Sequence, residues 1–142
     1  FDWTFGGNAD WTIVTESPYE GTYCTKSGVI TDSQTSDLIL SAEIQSAGDI
    51  SFYRKVSSES SYDYLKFFID DVLQEQWSGT VAWSEVSYSV STGTHTFKWE
   101  YYKDGSVSNG SDCAWVDYIV FPALGEVQPE IAVTSPNGGE DW

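Results

Sequence analysis

The sequence predicts an all-β protein in which two antiparallel sheets pack into a sandwich. Short runs rich in β-branched and aromatic residues recur along the 142 residues, and Gly, Ser, Asp and Asn separate them. No long stretch repeats apolar residues at the helical spacing of three and four positions. Aromatic residues make up 16% of the chain, and packing two sheets together is the natural way to bury about ten strands of this kind.

The clearest strands lie between residues 93 and 122, on either side of a polar loop. The first alternates strictly, and the apolar positions of one face are His95, Phe97, Trp99 and Tyr101. The second, residues 113–121, is apolar on both faces, which predicts a central position in its sheet. Asp117 breaks this apolar pattern. A carboxylate buried there is costly unless hydrogen bonds, a cation or a metal ion compensate it.

Eight earlier segments also have the composition of strands. They cover residues 1–5, 11–15, 22–26, 38–44, 50–56, 64–69, 72–77 and 86–90. The first is expected at a sheet edge, and the pair Asp70-Asp71 is expected to form a tight hairpin turn. Residues 57–63 and 78–84 are predicted to be loops, the second of which carries Trp83.

Composition excludes several functional classes. Six basic and 22 acidic residues give a formal net charge of −16, which repels nucleic acid and anionic membranes. No apolar run reaches the length of a membrane span, so membrane insertion is not expected. The single histidine, His95, gives a serine triad no support, and the paired carboxylates Asp70-Asp71 and Glu59/Asp63 lie in turn-like stretches. The sequence therefore predicts a protein that is not an enzyme.

Three segments carry a resemblance to a known module. They read SSESSYDYLKFFIDD from residue 57, WSGTVAWSEVSYSVSTGTHTFKWEYYKD from residue 77 and GSDCAWVDYIVFP from residue 110. In this order they resemble a jelly-roll module of large exported bacterial and archaeal proteins. That module is similar to MAM domains and to cleaved-adhesin domains. The resemblance implies a jelly-roll sandwich of the MAM and concanavalin type, a secreted or cell-surface location, an adhesive or accessory role and structural calcium.

The resemblance also implies ligands for the calcium ion. In calcium-bearing relatives an acidic residue of the first strand and the Asp of the last strand hold the ion, with carbonyls after an early Gly turn. The matching positions here are Asp2, Glu20, Lys26, Ser27 and Asp117. Oxygen ligands in irregular geometry suit Ca²⁺. The rival explanation for Asp117 is a structural aspartate whose carboxylate accepts backbone N–H groups from the N-terminal loop.

Two cysteines, Cys24 and Cys113, stand where the resembled module usually has small residues in adjoining strands. The resemblance, together with an exported location, therefore implies a disulfide between them. Two buried thiols are the alternative.

The polar loop after the ninth predicted strand is a second candidate cation site. Its acidic and amide groups are Asp104, Asn109 and Asp112, which either wrap a calcium ion or cap the connection through Asx-turns. Asn109 also begins an N-glycosylation sequon. Glu59 and Asp63 are expected to pair with Lys103 or Arg54 in place of a metal ion.

Four aromatic residues in or near predicted loops are candidates for stacking against sugar rings. They are Tyr62, Trp77, Trp83 and Tyr102. Closing the ends of the sandwich is the alternative role for these side chains.

The domain is expected to cover residues 1–122, and residues 123–142 are expected to form a linker and the start of a following β-module or docking strand. The strand-like run 131–134 would then contact a neighbouring domain or subunit. The sequence thus predicts an adhesive or structural module of a multidomain surface protein. A carbohydrate-binding module attached to an exported hydrolase or protease, with polysaccharide as its partner, is the alternative.

Overall fold

The computed structural model describes residues 2–15, 18–19, 21–104 and 112–122, with only the backbone of Asp2. These residues form ten β-strands and no helix. The strands are β1 Asp2–Gly7, β2 Thr12–Val14, β3 Cys24–Lys26, β4 Thr35–Ile44, β5 Gly48–Ser57, β6 Tyr64–Ile69, β7 Val72–Ser78, β8 Thr80–Val90, β9 Gly93–Tyr102 and β10 Cys113–Val120. No helix in the described part of the chain could therefore span a membrane.

The strands form two antiparallel five-stranded sheets, which confirms the predicted fold class. Sheet one has the order β1-β4-β9-β6-β7, and sheet two has the order β2-β3-β10-β5-β8. Strand β1 lies at an edge and β10 lies at the centre of its sheet, as the sequence predicts. Because β10 pairs with β3 and β5, it brings together segments that lie far apart in the chain.

Aromatic side chains from both sheets fill the core between them. Phe52 of sheet two has its ring centre 4.8 Å from that of Phe67 and 5.5 Å from that of Trp99, both of sheet one. The three apolar residues that follow His95 on its face of β9 are fully buried, whereas His95 itself is half-buried. Edge-to-face contacts of this kind add to the hydrophobic stabilisation.

The β6–β7 connection is the predicted tight turn. Asp70 and Asp71 have φ values of 51° and 66°, the left-handed conformation that matches the twist of a two-residue hairpin. Asp tolerates this region better than most residues because its short side chain can bond locally.

The predicted loop over residues 78–84 is wrong. Strand β8 already begins at Thr80, and only Gly79, with φ of 80°, separates it from β7. A register irregularity opposite Arg54 and Val56 shifts the phase within β8, so its alternation is hard to recognise in the sequence. As a result Trp83 lies on a strand. The predicted tail, residues 123–142, lies outside the described residues, so the tail and the domain boundary at residue 122 stay predictions.

Candidate functional site

The outer face of sheet two carries a group of aromatic side chains, here called the aromatic patch: Tyr19, Tyr53, Tyr118 and Trp83. The ring of Tyr19 stacks on Tyr53 with 3.7 Å between the ring centres. Tyr118 lies 6.2 Å from Tyr53, and Trp83 lies 6.1 Å from Tyr19. Tyr19 and Tyr118 are 41% and 37% exposed, so the patch presents aromatic surface to solvent.

The alternation of β5 explains the position of Tyr53 at the centre of the patch. Its neighbours Phe52 and Arg54 are buried, and a residue between two inward-facing positions must point outward. Across the sheet, Tyr53 is opposite Asp117 of β10 and Glu85 of β8. The patch therefore has a buried carboxylate on one side and an exposed one on the other.

A β-bulge in β10 places Tyr118 in the patch. The register between β10 and β5 shifts between Asp117 and Val120, and Tyr118 adopts a φ of 52°. Bulges of this kind re-aim side chains, and a left-handed tyrosine is an uncommon, strained conformation. After the bulge Ile119 returns to the core.

Asp117 is compensated by backbone N–H groups, as the rival explanation from the sequence predicted. Asp117 as a whole is 1% exposed. Oδ2 accepts a hydrogen bond from the Tyr19 N–H at 3.0 Å, and Oδ1 accepts one from the Tyr118 N–H at 2.7 Å. The carboxylate thus holds the backbone of two residues of the aromatic patch.

The described members of the first predicted calcium site are distributed over both sheets. Asp117 lies in sheet two, whereas the backbone of Asp2 pairs with Ser41 in sheet one. The Ser27 hydroxyl accepts the Ala114 N–H at 3.0 Å, and Lys26 pairs with Trp115 in the ladder. Glu20 and the side chain of Asp2 lie outside the described residues, so calcium binding stays a prediction.

Two lysines cover Trp115, which lies on the same outer face of β10 as Asp117. The Nζ atoms of Lys26 and Lys55 lie 5.7 Å and 4.9 Å from the centre of its ring. This contact buries Trp115, which is only 4% exposed, and puts two of the six basic residues beside the aromatic patch.

The Cys24–Cys113 disulfide is not formed in the structure, where both residues are buried thiols. Both contribute to a small apolar cluster with Trp115. Trp115 pairs with Lys26 and Val116 with Thr25, so the continuation of this register puts Cys24 opposite Asp117. Cys113 is four residues before Asp117 on β10, which separates the two cysteines by about 13 Å along the strands. A disulfide needs Cα atoms within about 7 Å, so this register excludes the bond.

The four aromatics predicted as sugar-stacking residues occupy different environments. Trp83 belongs to the aromatic patch. Trp77, near the end of β7, is 9% exposed and has the Arg54 guanidinium 4.8 Å from its ring centre, so little of its ring is open to a sugar. Tyr102 is half-buried under the Lys66 ammonium at 4.1 Å. Tyr62 is 55% exposed in the loop between β5 and β6.

Lys103 lies buried between carboxylates, as the predicted pairing with Asp63 requires. Its Nζ donates to Asp63 Oδ2 at 3.3 Å and to Asp112 Oδ1 at 2.9 Å, and Asp112 also accepts the Tyr101 hydroxyl at 2.8 Å. Burial opposes the charged form of Lys103, but the bonds to Asp112 and Asp63 outweigh it and raise the pKa of the ammonium.

Three carboxylates meet beside this lysine. One oxygen from each of Glu59, Asp63 and Asp104 lies within 4.8 Å of the others. Burial, and then repulsion from Asp104 and Asp63, raises the pKa of Glu59. The buried Oε1 of Glu59 has no hydrogen-bond partner among the described residues. The candidate loop ligand Asn109 lies outside them.

His95 is an ion-pair partner at the surface. Its Nδ1 bonds Asp70 Oδ2 at 2.6 Å, and its Nε2 lies 2.9 Å from the Ser91 carbonyl oxygen and 3.3 Å from the Ser91 hydroxyl. The hydrogen bond to Asp70 is the main cause of the raised pKa of His95. A carbonyl accepts only from a protonated nitrogen, so Nε2 carries a proton and is not placed to act as a base towards Ser91.

A second surface feature is an apolar cleft of about 130 Å³ between the edge strands of the two sheets. Its walls are formed by Trp3, Phe5, Trp11, Thr12, Ile13, Thr25 and Leu38. The polar atom of Trp11 is already used, because its Nε1 donates to the Ser36 carbonyl at 2.9 Å. The cleft therefore offers few polar groups to orient a sugar, unlike the aromatic patch.

Sequence reasoning missed Tyr19, Tyr53 and Tyr118. One signal was present, since Tyr53 stands at an outward position of an alternating strand, where an exposed aromatic calls for an explanation. The bulge that exposes Tyr118 and the loop that brings Tyr19 onto Tyr53 have no comparable signal in the sequence.

The sequence matches no protein-family model, and no curated protein resembles it closely enough to count as a match. Solved structures do resemble it in fold. A region of the secreted serine protease VesC from Vibrio cholerae superimposes with a TM-score of 0.67 at 16% identity, over 84% of this chain and 24% of that chain. A structure of carbohydrate-binding modules of the β-sandwich superfamily gives a TM-score of 0.62 at 14% identity, over 87% of this chain and 57% of that chain.

The K1 cleaved-adhesin domain of Lys-gingipain from Porphyromonas gingivalis W83 gives a TM-score of 0.61 at 12% identity, over 87% of this chain and 91% of that chain. The chain thus spans about a quarter of the protease and just over half of the carbohydrate-binding structure. At these identities the likeness establishes the fold, a β-sandwich module of the jelly-roll kind. The expected likeness to MAM domains stays a prediction.

Proposed function

We propose that this chain is a non-catalytic binding module of a secreted or cell-surface protein, and that the aromatic patch binds polysaccharide. The observation that carries the proposal is the Tyr19–Tyr53 stack, with Tyr118 and Trp83 beside it on an outer sheet face. Three tyrosines and a tryptophan within contact distance offer a broad, partly exposed aromatic surface. Exposed surfaces of this kind in a highly charged protein mark interaction sites.

The chemistry of the patch suits a sugar chain. Aromatic rings pack against the apolar C–H faces of pyranose rings, while the tyrosine hydroxyls offer hydrogen bonds to sugar hydroxyls. Glu85, which is exposed and opposite Tyr53, and Lys55 add an acceptor and a donor near the rings. An apolar surface with a few polar groups at its border is the usual composition of a small-molecule site.

The comparisons support a binding role. One matching structure contains carbohydrate-binding modules and another is a cleaved-adhesin domain, and both names describe attachment. The region that matches in the secreted protease covers a minor part of that protein. This minor share of the length is consistent with a module that is attached to another domain of a larger exported protein.

The test is a glycan array followed by calorimetric titration of any glycan retained. Tyr19→Ala and Tyr118→Ala should each weaken binding about tenfold, the loss expected from about 1.4 kcal/mol of stacking. Tyr62→Ala is the matched control, because Tyr62 is a more exposed tyrosine in the β5–β6 loop. Glycan binding that is lost in Tyr62→Ala and kept in the patch variants would refute the patch, and an array with no retained glycan would refute carbohydrate binding.

The adhesive alternative uses the same module to hold a protein partner. It is favoured by the cleaved-adhesin likeness. Neighbouring domains or subunits, contacted through residues 131–134, are the proposed partners, and a tail-deleted chain tests them. The alternative predicts that deletion abolishes assembly with neighbouring units and leaves the melting temperature unchanged.

Calcium stabilisation is a further proposal, and the acidic residues around Lys103 support it better than the set around Asp117. Glu59, Asp63 and Asp104 supply carboxylate oxygens close enough to share an ion. A cation there would offset the burial, and the repulsion from Asp104 and Asp63, that raise the pKa of Glu59. Glu59→Gln should lower both the measured calcium content and any calcium-dependent rise in melting temperature.

A further inference from the structure

We propose that Asp117 is the positioning residue of the aromatic patch, and that it does this without a metal ion. This inference rests on the proposed function for its biological meaning, but its geometry does not depend on any ligand. Each carboxylate oxygen holds the backbone N–H of one tyrosine, Tyr19 on Oδ2 and Tyr118 on Oδ1. Those two tyrosines both contact Tyr53, which is opposite Asp117 in the sheet.

The bond to Tyr19 fixes a segment that has no strand partner. Residues 18 and 19 lie between β2 and β3 outside any strand, and their contact with the sheet includes this hydrogen bond and the stack on Tyr53. A charged acceptor makes such a bond roughly twice as strong as a neutral one. The carboxylate therefore restricts Tyr19 to the position in which its ring lies over Tyr53.

The bond to Tyr118 stabilises a strained backbone. A left-handed conformation is unfavourable for a non-glycine residue, so glycine would be the expected residue at a φ of 52°. The chain instead has an exposed tyrosine there, and the neighbouring carboxylate accepts its N–H. Strain that is kept at an exposed aromatic residue indicates that the direction of this side chain matters.

The two bonds together explain why a charged residue lies in an apolar central strand. Aspartate has two oxygens, each accepting from one N–H, whereas an asparagine has only one oxygen. With both oxygens used in this way, the carboxylate is compensated by dipoles and needs no cation. The patch would then keep its arrangement at any calcium concentration.

The first experiment measures amide hydrogen exchange and NMR spectra of the unmodified protein with calcium and with EDTA. The Tyr19 amide should exchange at least about 100-fold more slowly than an unstructured amide in both solutions, because the carboxylate holds it. The aromatic protons of Tyr53 should show the upfield shift that a stacked ring produces. Rapid exchange at Tyr19, or protection and shift that disappear with EDTA, would overturn the proposal.

The second experiment compares Asp117→Asn with Asp37→Asn. Asp37 is the matched control, a buried aspartate on β4 of sheet one, whereas the patch lies on sheet two. Asp117→Asn should move the Tyr53 signals towards unstacked values and weaken glycan binding about tenfold, whereas Asp37→Asn should leave the Tyr53 signals and glycan binding unchanged. Unchanged Tyr53 signals in a folded Asp117→Asn protein would overturn the proposal. If the signals move and no form of the protein binds a glycan, the positioning role stands and the proposed function fails.

Discussion

Replacing Lys103 by Met is expected to destabilise the domain more than any other single lysine substitution. Lys103 is 1% exposed, and its ammonium lies between Asp63, which is fully buried, and Asp112. Methionine keeps much of the side-chain volume but removes the charge. The variant therefore leaves a buried carboxylate without its cation, beside Glu59 and Asp104.

The size of the effect follows from this environment. Breaking a buried ion pair by removing one partner costs about 3 to 5 kcal/mol. The lower end applies here, because Asp112 is 20% exposed and water can solvate it, and the Asp104 N–H still donates to Asp63. A loss of about 3 kcal/mol is a large part of the stability of a typical domain and corresponds to about 10 °C or more in melting temperature.

The assay is urea unfolding at neutral pH, followed by fluorescence of the buried tryptophans. Lys98→Met is the matched control, since Lys98 is 24% exposed and lies 3.9 Å from Glu100, and its loss should stay below about 1 kcal/mol. The double variant Lys103→Met/Asp63→Asn should recover part of the loss, because the amide keeps an oxygen for the Asp104 N–H and carries no charge. A loss below 1 kcal/mol in Lys103→Met, or a double variant no more stable than the single one, would refute the reasoning.

Three other predictions follow from the described contacts. Alkylation of the denatured, unreduced protein should modify both Cys24 and Cys113, and a mass showing no modified thiol would contradict the strand register. The His95–Asp70 pair should stabilise by about 0.5 kcal/mol after solvent screening, since Asp70 is 47% exposed. The pKa of His95 is raised above 6.5 and that of Asp70 is lowered below 3.8. The stabilisation is therefore lost as the pH rises through the raised pKa of His95, and also as the pH falls through the lowered pKa of Asp70. The melting temperature of His95→Gln should be below that of the unmodified protein at pH 5.5 and equal to it at pH 9.5. Calcium should raise the melting temperature relative to EDTA, and equal melting temperatures with no metal in elemental analysis would end the calcium proposal.

Local patterns in the sequence determined the strands and the fold class. Alternation in β9 predicted its buried face, continuous apolarity predicted the central place of β10, and the pair Asp70-Asp71 predicted the hairpin. Each of these signals depends on neighbouring residues in the chain, so no knowledge of the partner strand is needed. The need to compensate Asp117 could also be predicted, because burial of its carboxylate follows from its strand alone.

Tertiary structure decided which groups meet. Register between β3 and β10, whose partners are about 90 positions apart in the chain, separates Cys24 from Cys113. The same pairing and the bulge at Tyr118 set Asp117 against the backbone of Tyr19 and build the aromatic patch. A shift of one residue in register turns every side chain of a strand to the other face, and this register depends on packing across the whole sandwich. The sequence by itself therefore determined that Asp117 needs partners, whereas only the folded sheet determined which partners they are.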